Sequence, residues 1–265
     1  FFKQKTAYEI PKRDWSSDVC SSDLRSSDNT EQDIGFVSGN LDTSSLTSFC
    51  GAGNGFVTTW YDQSGNGNNA TQTTAAKQPQ IVSGGSVITT NNKPAMNFLV
   101  NPNYLQFTSN FSSFNNTTIF NVISPSSYSS GSENARFYDL YDGSYHIQFL
   151  RDSSSQLFHT KNTLWQSGLG ATQYTTQNAP TSQFIGSILA LSSSNDLYYN
   201  NSIQSKTSTS NVGSAGNIGV IGQRADIITS TNFFGTYQEL IVYQSNQSSN
   251  LTGINTNINT YYGIY

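Results

Sequence analysis

Charge, cysteine and methionine are scarce in this sequence, histidine is nearly missing, and no apolar run is long. Charged residues make up 11% of the 265, with 12 Lys and Arg against 16 Asp and Glu, a net charge of −4 at pH 7. That balance leaves no basic face for nucleic acid. No apolar run approaches the ~18 residues of a membrane-spanning helix. The two histidines, His146 and His159, have no Cys or second His at ligand spacing, so a zinc site is not expected. There is no Gly-x-Ser-x-Gly elbow, and the glycine-rich Gly213–Gly219 stretch follows no strand and opens no helix, which excludes a phosphate loop. Helical periodicity is almost lacking.

The first 24 residues stand apart from the rest. Lys3–Glu9, "KQKTAYE", and Asp14–Asp23, "DWSSDVCSSD", are what a common short-read sequencing adaptor encodes when translated. Residues 1–24 are therefore expected to be an adaptor-derived artefact, and 25–265 a single N-terminally truncated domain. The artefact holds four basic residues (Lys3, Lys5, Lys12, Arg13) and four acidic ones (Glu9, Asp14, Asp18, Asp23), so the net charge belongs to the remainder. Cys20 also falls within it. That leaves Cys50 without an internal disulfide partner, and it reads as a small buried side chain.

Ser, Thr, Asn, Gln and Gly dominate what is left. Short β-rich runs alternate with turn clusters at a spacing of about 8–12 residues, which is the sandwich pattern. Runs at 34–37, 56–61, 80–82, 87–89, 95–98, 104–107, 117–123, 136–141, 145–150, 156–159, 183–191, 196–199, 202–204, 218–221 and 234–243 are predicted strands. Asn200-Asn201 suits a type I′ hairpin turn. The 234–243 run is apolar on both faces and should lie centrally. Leu251, Ile254 and Ile258 at i, i+3 and i+7 predict one short C-terminal helix, capped by Ser248 or Ser249 and stopped by Gly263.

Four segments carry a resemblance: "RSSDNTEQDI" (Arg25–Ile34), "SFCGAGNGFVTTWYDQSGNGNNATQ" (Ser48–Gln72), "KPAMNF" (Lys93–Phe98) and "TYQELIVY…NINTYYGIY" (Thr236–Tyr265). In this order they resemble the catalytic domain of arabinofuranosidase B-type α-L-arabinofuranosidases, and also laminin G-like modules of secreted bacterial and phage-tail proteins. The resemblance implies an all-β, concanavalin A-like β-sandwich (jelly roll). It also implies a retaining mechanism with a Glu nucleophile and an Asp acid/base, two carboxyl groups about 5–5.5 Å apart. The segment "YHIQFLR" places Gln148 at the nucleophile position, and Ile221-Gly222-Gln223 places Arg224 at the acid/base position. An amide cannot attack the anomeric carbon, and a guanidinium, always protonated, cannot shuttle the proton. The family's adjacent-cysteine pair is absent as well. If a carboxylate does catalyse, Asp139, Asp142 and Asp226 are the candidates; Asp152 is a further one if the alignment slips.

Asp62, Ser64 and Asn66 precede Gly67 like the first half of a calcium loop. The twelfth position is Thr73 rather than a bidentate acid, so a turn closed by Asp62 is the stronger reading and Ca2+ the weaker; no other cofactor is implied. Tyr138, Tyr141, Tyr145, Trp165 and Tyr174 interleave with Asp139, Asp142, Arg136 and Arg151. Flat rings beside planar polar groups can bind sugar, although strand aromatics are commonly core. Gln148, Arg224, Tyr145, Trp165 and Asp139 are the candidate ligand residues. Three functional readings stand: a non-catalytic carbohydrate-binding or adhesion module of an extracellular or phage-tail protein, a divergent α-L-arabinofuranosidase, and a structural spacer in a virion fibre. The first two take a cell-surface or extracellular polysaccharide as partner; the third is a homo-oligomer.

Overall fold

The computed structural model describes residues 2–4, 21–25, 29–98, 103–108, 116–126, 135–141, 145–151, 156–163, 172–178, 180–192, 194–208, 218–225 and 232–265. Its centre is the strand Gly235–Tyr243. This strand pairs antiparallel with Thr117–Pro125 along its whole length, through a bulge at Val122/Ile123, and with Met96–Phe98 at its start. The strand predicted over 234–243 is thus central. On one side the layer continues through Phe184–Ala190, Ser194–Tyr199 and Ser202–Ser208. On the other it continues through Gln80–Ser83, Gly55–Trp60, Ser21–Arg25 and Glu31–Ile34. Most of Ser21–Arg25, and all of Phe2–Gln4, which lies parallel to Leu240–Val242, fall in the adaptor-like stretch. Strand pairing is made by backbone groups, so a slot of this kind accepts many sequences.

A second layer runs Ala70–Thr71, Leu105–Thr108, Ile218–Ile221, Ala135–Tyr141, Tyr145–Arg151, Gln156–Thr163 and Thr172–Asn178. Hydrogen bonding passes between the layers where Thr59 and Trp60 meet Thr71 and Ala70. The layers face each other across one core: Phe137 and Phe149 of the second meet Phe184 of the first edge-on, at centroid distances of 6.2 Å each. This is a concanavalin A-like β-sandwich, in agreement with the sequence.

The first layer is apolar on its outer face too. Phe120, Val122, Ile185, Leu189, Ile241 and Tyr243 are covered there by Leu251, Ile254, Ile258 and Tyr262 of the helix Leu251–Tyr262. Gly263 ends that helix with φ 63°, as its sequence predicts. Neither Ser248 nor Ser249 caps the start. Asn250 occupies the cap position with no side-chain capping bond, and Ser248 N–H instead donates to Asn246 Oδ1. Burial of the apolar face sustains this helix without a cap.

A second helix, Thr43–Cys50, corrects the expectation of a single helix. Its composition is Ser/Thr-rich and helix-poor. The Asp42 carboxylate closes it, accepting from Ser45 N–H at 3.0 Å and Ser45 Oγ at 2.6 Å, bonds that hold the carboxyl below its ordinary value. Leu46 and Cys50 are its buried residues, so Cys50 is indeed interior. Asn200 and Asn201 take positive φ (45° and 64°), as a type I′ turn requires.

Two tests follow from this packing. A Cβ on Gly219 would sit 2.0 Å from the buried Phe107 ring, so Gly219→Ala is expected to lower the urea-unfolding free energy by about 1–3 kcal/mol. Burial, with Glu239 nearby, pushes the Tyr243 phenol up to about 12. The neutral phenol therefore stabilises the fold fully below its ordinary pKa of 10.0, and that contribution is lost between pH 10.0 and about 12. Alkaline melting curves should show Tyr243→Phe losing less stability than the parent across that window.

Candidate functional site

The second layer brings the main candidates together. Asp139 lies in Ala135–Tyr141, directly opposite Gln148 in Tyr145–Arg151 and opposite Val220 in Ile218–Ile221. A bulge between Arg136 and Tyr138 lets consecutive residues Phe137 and Tyr138 both enter the core, and sets Asp139 on the alternate face. Tyr138 is fully buried against Phe149, so it is a core ring and no part of a ligand face. Burial first, and the Tyr237 hydroxyl second, push its phenol well above the ordinary value and keep it neutral.

Arg224 reaches the same place by a turn. Gly222 ends the Ile218–Ile221 strand at φ +89°, its N–H donating to Phe137 O at 3.0 Å. A Cβ there would fall 2.6 Å from the Phe98 ring, so both conformation and space require glycine. Phe233 N–H returns to Gly222 O at 2.9 Å, and its ring packs on Phe98 and Phe137 at 5.6 and 5.4 Å. The chain then passes over Asp139, whose Oδ2 accepts from Ala225 N–H at 2.8 Å. Gln223, Arg224 and Asp139 are all buried, as is Arg136 on the same strand as Asp139.

Among the described residues, then, Asp139 and Arg224 come together at the register position of Gln148. Tyr145 is placed by its backbone, opposite Thr163, and His146 and His159 likewise, opposite Tyr141 and Phe149. Asp142, Asp226, Trp165 and Asp152 lie outside the described residues. Sequence reasoning did not find the Ala225 N–H that holds Asp139. Only the turn signalled by Gly222 could have suggested it.

The arrangement limits the chemistry. Asp139 is wholly buried and one of its oxygens is occupied by backbone. A carboxylate held in this way can serve as a strut for the turn carrying Arg224. Arg224 and Arg136 supply fixed positive charge and planar donors, suited to hydroxyl or carboxylate groups.

The Asp62 loop is built differently. Asp62 is buried, and its carboxylate accepts from Ser64 N–H (2.8 Å), Asn68 N–H (3.1 Å) and Asn68 Nδ2 (3.2 Å). Asn69 Oδ1 accepts from Asp62 N–H, and Ser64 Oγ from Asn66 N–H and Nδ2. The three weak metal candidates thus bond chiefly within their own turn. Among the described residues, no three His, Cys, Asp or Glu side chains gather where they could hold a metal ion.

Residues 22–150 match the family model described as the catalytic domain of α-L-arabinofuranosidase B. The chain resembles that domain. A Glu→Gln variant of a GH54 α-L-arabinofuranosidase, soaked with 4-nitrophenyl α-L-arabinofuranoside, superposes with a TM-score of 0.61 at 17% identity, over 92% of this chain and 59% of that one. An arabinofuranosidase complexed with arabinofuranosyl-α-1,2-xylobiose gives 0.58 at 17%, over 91% and 59%. Domain 4 of an extracellular GH43 arabinanase from Geobacillus stearothermophilus, bound to arabinotriose, gives 0.50 at 15%, over 62% and 77%. At these identities the likeness is one of fold. The chain spans 59% of the arabinofuranosidases it matches. No curated protein sequence matches it.

If Asp139 is a strut, Asp139→Leu strands the Ala225 N–H. It should cost about 1–3 kcal/mol in urea unfolding, and Asp139→Asn, which keeps an acceptor, should cost less.

Proposed function

We propose that residues 25–265 form a non-catalytic carbohydrate-binding module, with residues 1–24 foreign to the native chain. Its ligand is an extracellular or cell-surface polysaccharide, and its place is on a secreted or phage-tail protein. The observation that carries this reading is the state of Asp139: the described carboxylate at the site centre is buried and bonded to Ala225 N–H. By the resemblance, the flanking positions that would hold nucleophile and acid/base are an amide, Gln148, and a guanidinium, Arg224. Such groups can bind sugar hydroxyls or a uronate without cleaving a glycosidic bond. The arabinose-bearing ligands of the structurally similar proteins support testing arabinofuranosyl glycans first. No helix among the described residues is long and apolar enough to cross a membrane.

The test is a glycan array including α-arabinofuranosyl and uronic-acid-containing glycans. Selective binding is expected, with a tenfold or greater loss in Gln148→Ala and Arg224→Ala. A blank array from folded protein, or an obligate oligomer without glycan binding, would favour the fibre spacer instead.

A second reading, a divergent hydrolase, is favoured by the position of Asp139 opposite Gln148. It would use Asp139 or Asp142 with Asp226. It requires release of 4-nitrophenol from the aryl α-L-arabinofuranoside, abolished by Asp139→Asn and indifferent to Gln148→Ala. The binding-module reading expects no release at all.

A further inference from the structure

The tripeptide Gly-Asn-Gly occurs twice, at Gly53-Asn54-Gly55 and at Gly65-Asn66-Gly67, and the fold treats the two copies oppositely. Glycine after asparagine matters chemically. With no Cβ in the way, its main-chain nitrogen can approach the asparagine side-chain amide and attack it. Identical neighbours give the two asparagines the same intrinsic reactivity, so any difference between them comes from the structure.

The first copy is locked. Gly55 is buried at the start of the strand Gly55–Trp60, with Arg25 of one neighbouring strand and Val82 of the other as its register partners. A Cβ there would lie 2.6 Å from Cys50 Sγ, so the main chain is closely packed. Asn54 Oδ1 accepts from Gly84 N–H at 2.9 Å, which holds the side chain against another segment.

The second copy forms the tip of the turn closed by Asp62. Gly65, Asn66 and Gly67 are all exposed, and both glycines have positive φ, 82° and 74°. Among the described residues the Gly67 N–H has no hydrogen-bond acceptor. The Asn66 side chain bonds locally, its Nδ2 donating to Ser64 Oγ at 3.0 Å. Bonds at an exposed loop tip open at far lower cost than those of a central strand.

We propose that Asn66 is a site of spontaneous deamidation. The Gly67 nitrogen bonds to Asn66 Cγ, and Nδ2 leaves as ammonia, carrying the Gly67 proton. The succinimide takes up a water molecule and opens to aspartate or isoaspartate. Either product adds a negative charge to the turn, and isoaspartate also lengthens the main chain by a methylene. The change falls between Ser64 N–H and Asn68 N–H, both of which donate to Asp62. Just beyond, Ala70 and Thr71 cross to the second layer, where Thr71 meets Gln106. The reaction needs no ligand and is independent of the glycan-binding reading.

The full chain, held at mildly alkaline pH and mapped by peptide mass spectrometry with isoaspartyl methyltransferase labelling, tests the idea. In the folded protein Asn66 should convert about tenfold or more faster than Asn54. In concentrated urea the two rates should converge, because only the fold separates them. Asn66→Gln should remove the acidic form seen on isoelectric focusing. An intact Asn66, conversion at Asn54 as fast as at Asn66 in the folded chain, rates that stay apart in urea, or an undiminished acidic form in Asn66→Gln would each overturn the proposal. Were Asn66→Gln to unfold, the comparison of the two asparagines within the parent would still decide.

Discussion

A strand that is apolar on both faces has to be covered twice, and Gly235–Tyr243 is that strand. Its Leu240 and Val242 enter the interlayer core, while Ile241 and Tyr243 lie under the C-terminal helix. Three layers follow from this one constraint: a sheet opposite, the strand's own sheet, and a helix behind it. The helix is held by its apolar stripe and by Asn255, which accepts from Ser187 Oγ and donates to Asn201 Oδ1. Asn91, from the Thr89–Pro94 hairpin, closes its far end by donating to Tyr262 O and Gly263 O. Amides here replace the charged pairs that a sequence so poor in Lys and Glu cannot supply.

The front of the sandwich depends on that same core. Phe98, Phe137, Phe149 and Phe233 form a ring-packed floor, and the Gly222 turn is fastened to it by backbone bonds at Phe137 and Phe233. Arg224 thus stands on a frame held mainly by ring packing and backbone bonds, to which Asp139 adds its bond to Ala225 N–H. Chemistry can change at such positions while the fold persists, which is why likeness of fold to arabinofuranosidases leaves activity open.

Much of the frame was legible. Alternation in Gly235–Tyr243, the paired asparagines at 200–201 and the spacing of Leu251, Ile254 and Ile258 each report a local preference that the tertiary structure does not oppose. Thr43–Cys50 was not legible, because its residues favour other conformations and the helix rests on one capping carboxylate. The family resemblance drew attention to Gln148 and Arg224, but the partnership of Asp139 with Ala225 depends on a turn crossing from another strand and leaves no local signal in the sequence.

The bulge between Arg136 and Tyr138 has a consequence for how this face can evolve. Side chains along a strand alternate with a period of two, so a single extra residue acts as a phase shift on everything downstream. Were the strand to straighten without shortening, Asp139 and Tyr141 would turn to the core face, while Tyr138 and Leu140 would turn away from it. The faces that these residues occupy are therefore set by one irregular step in the main chain, and a change that removes the bulge would remodel the site at a stroke, where substitution alters it one side chain at a time.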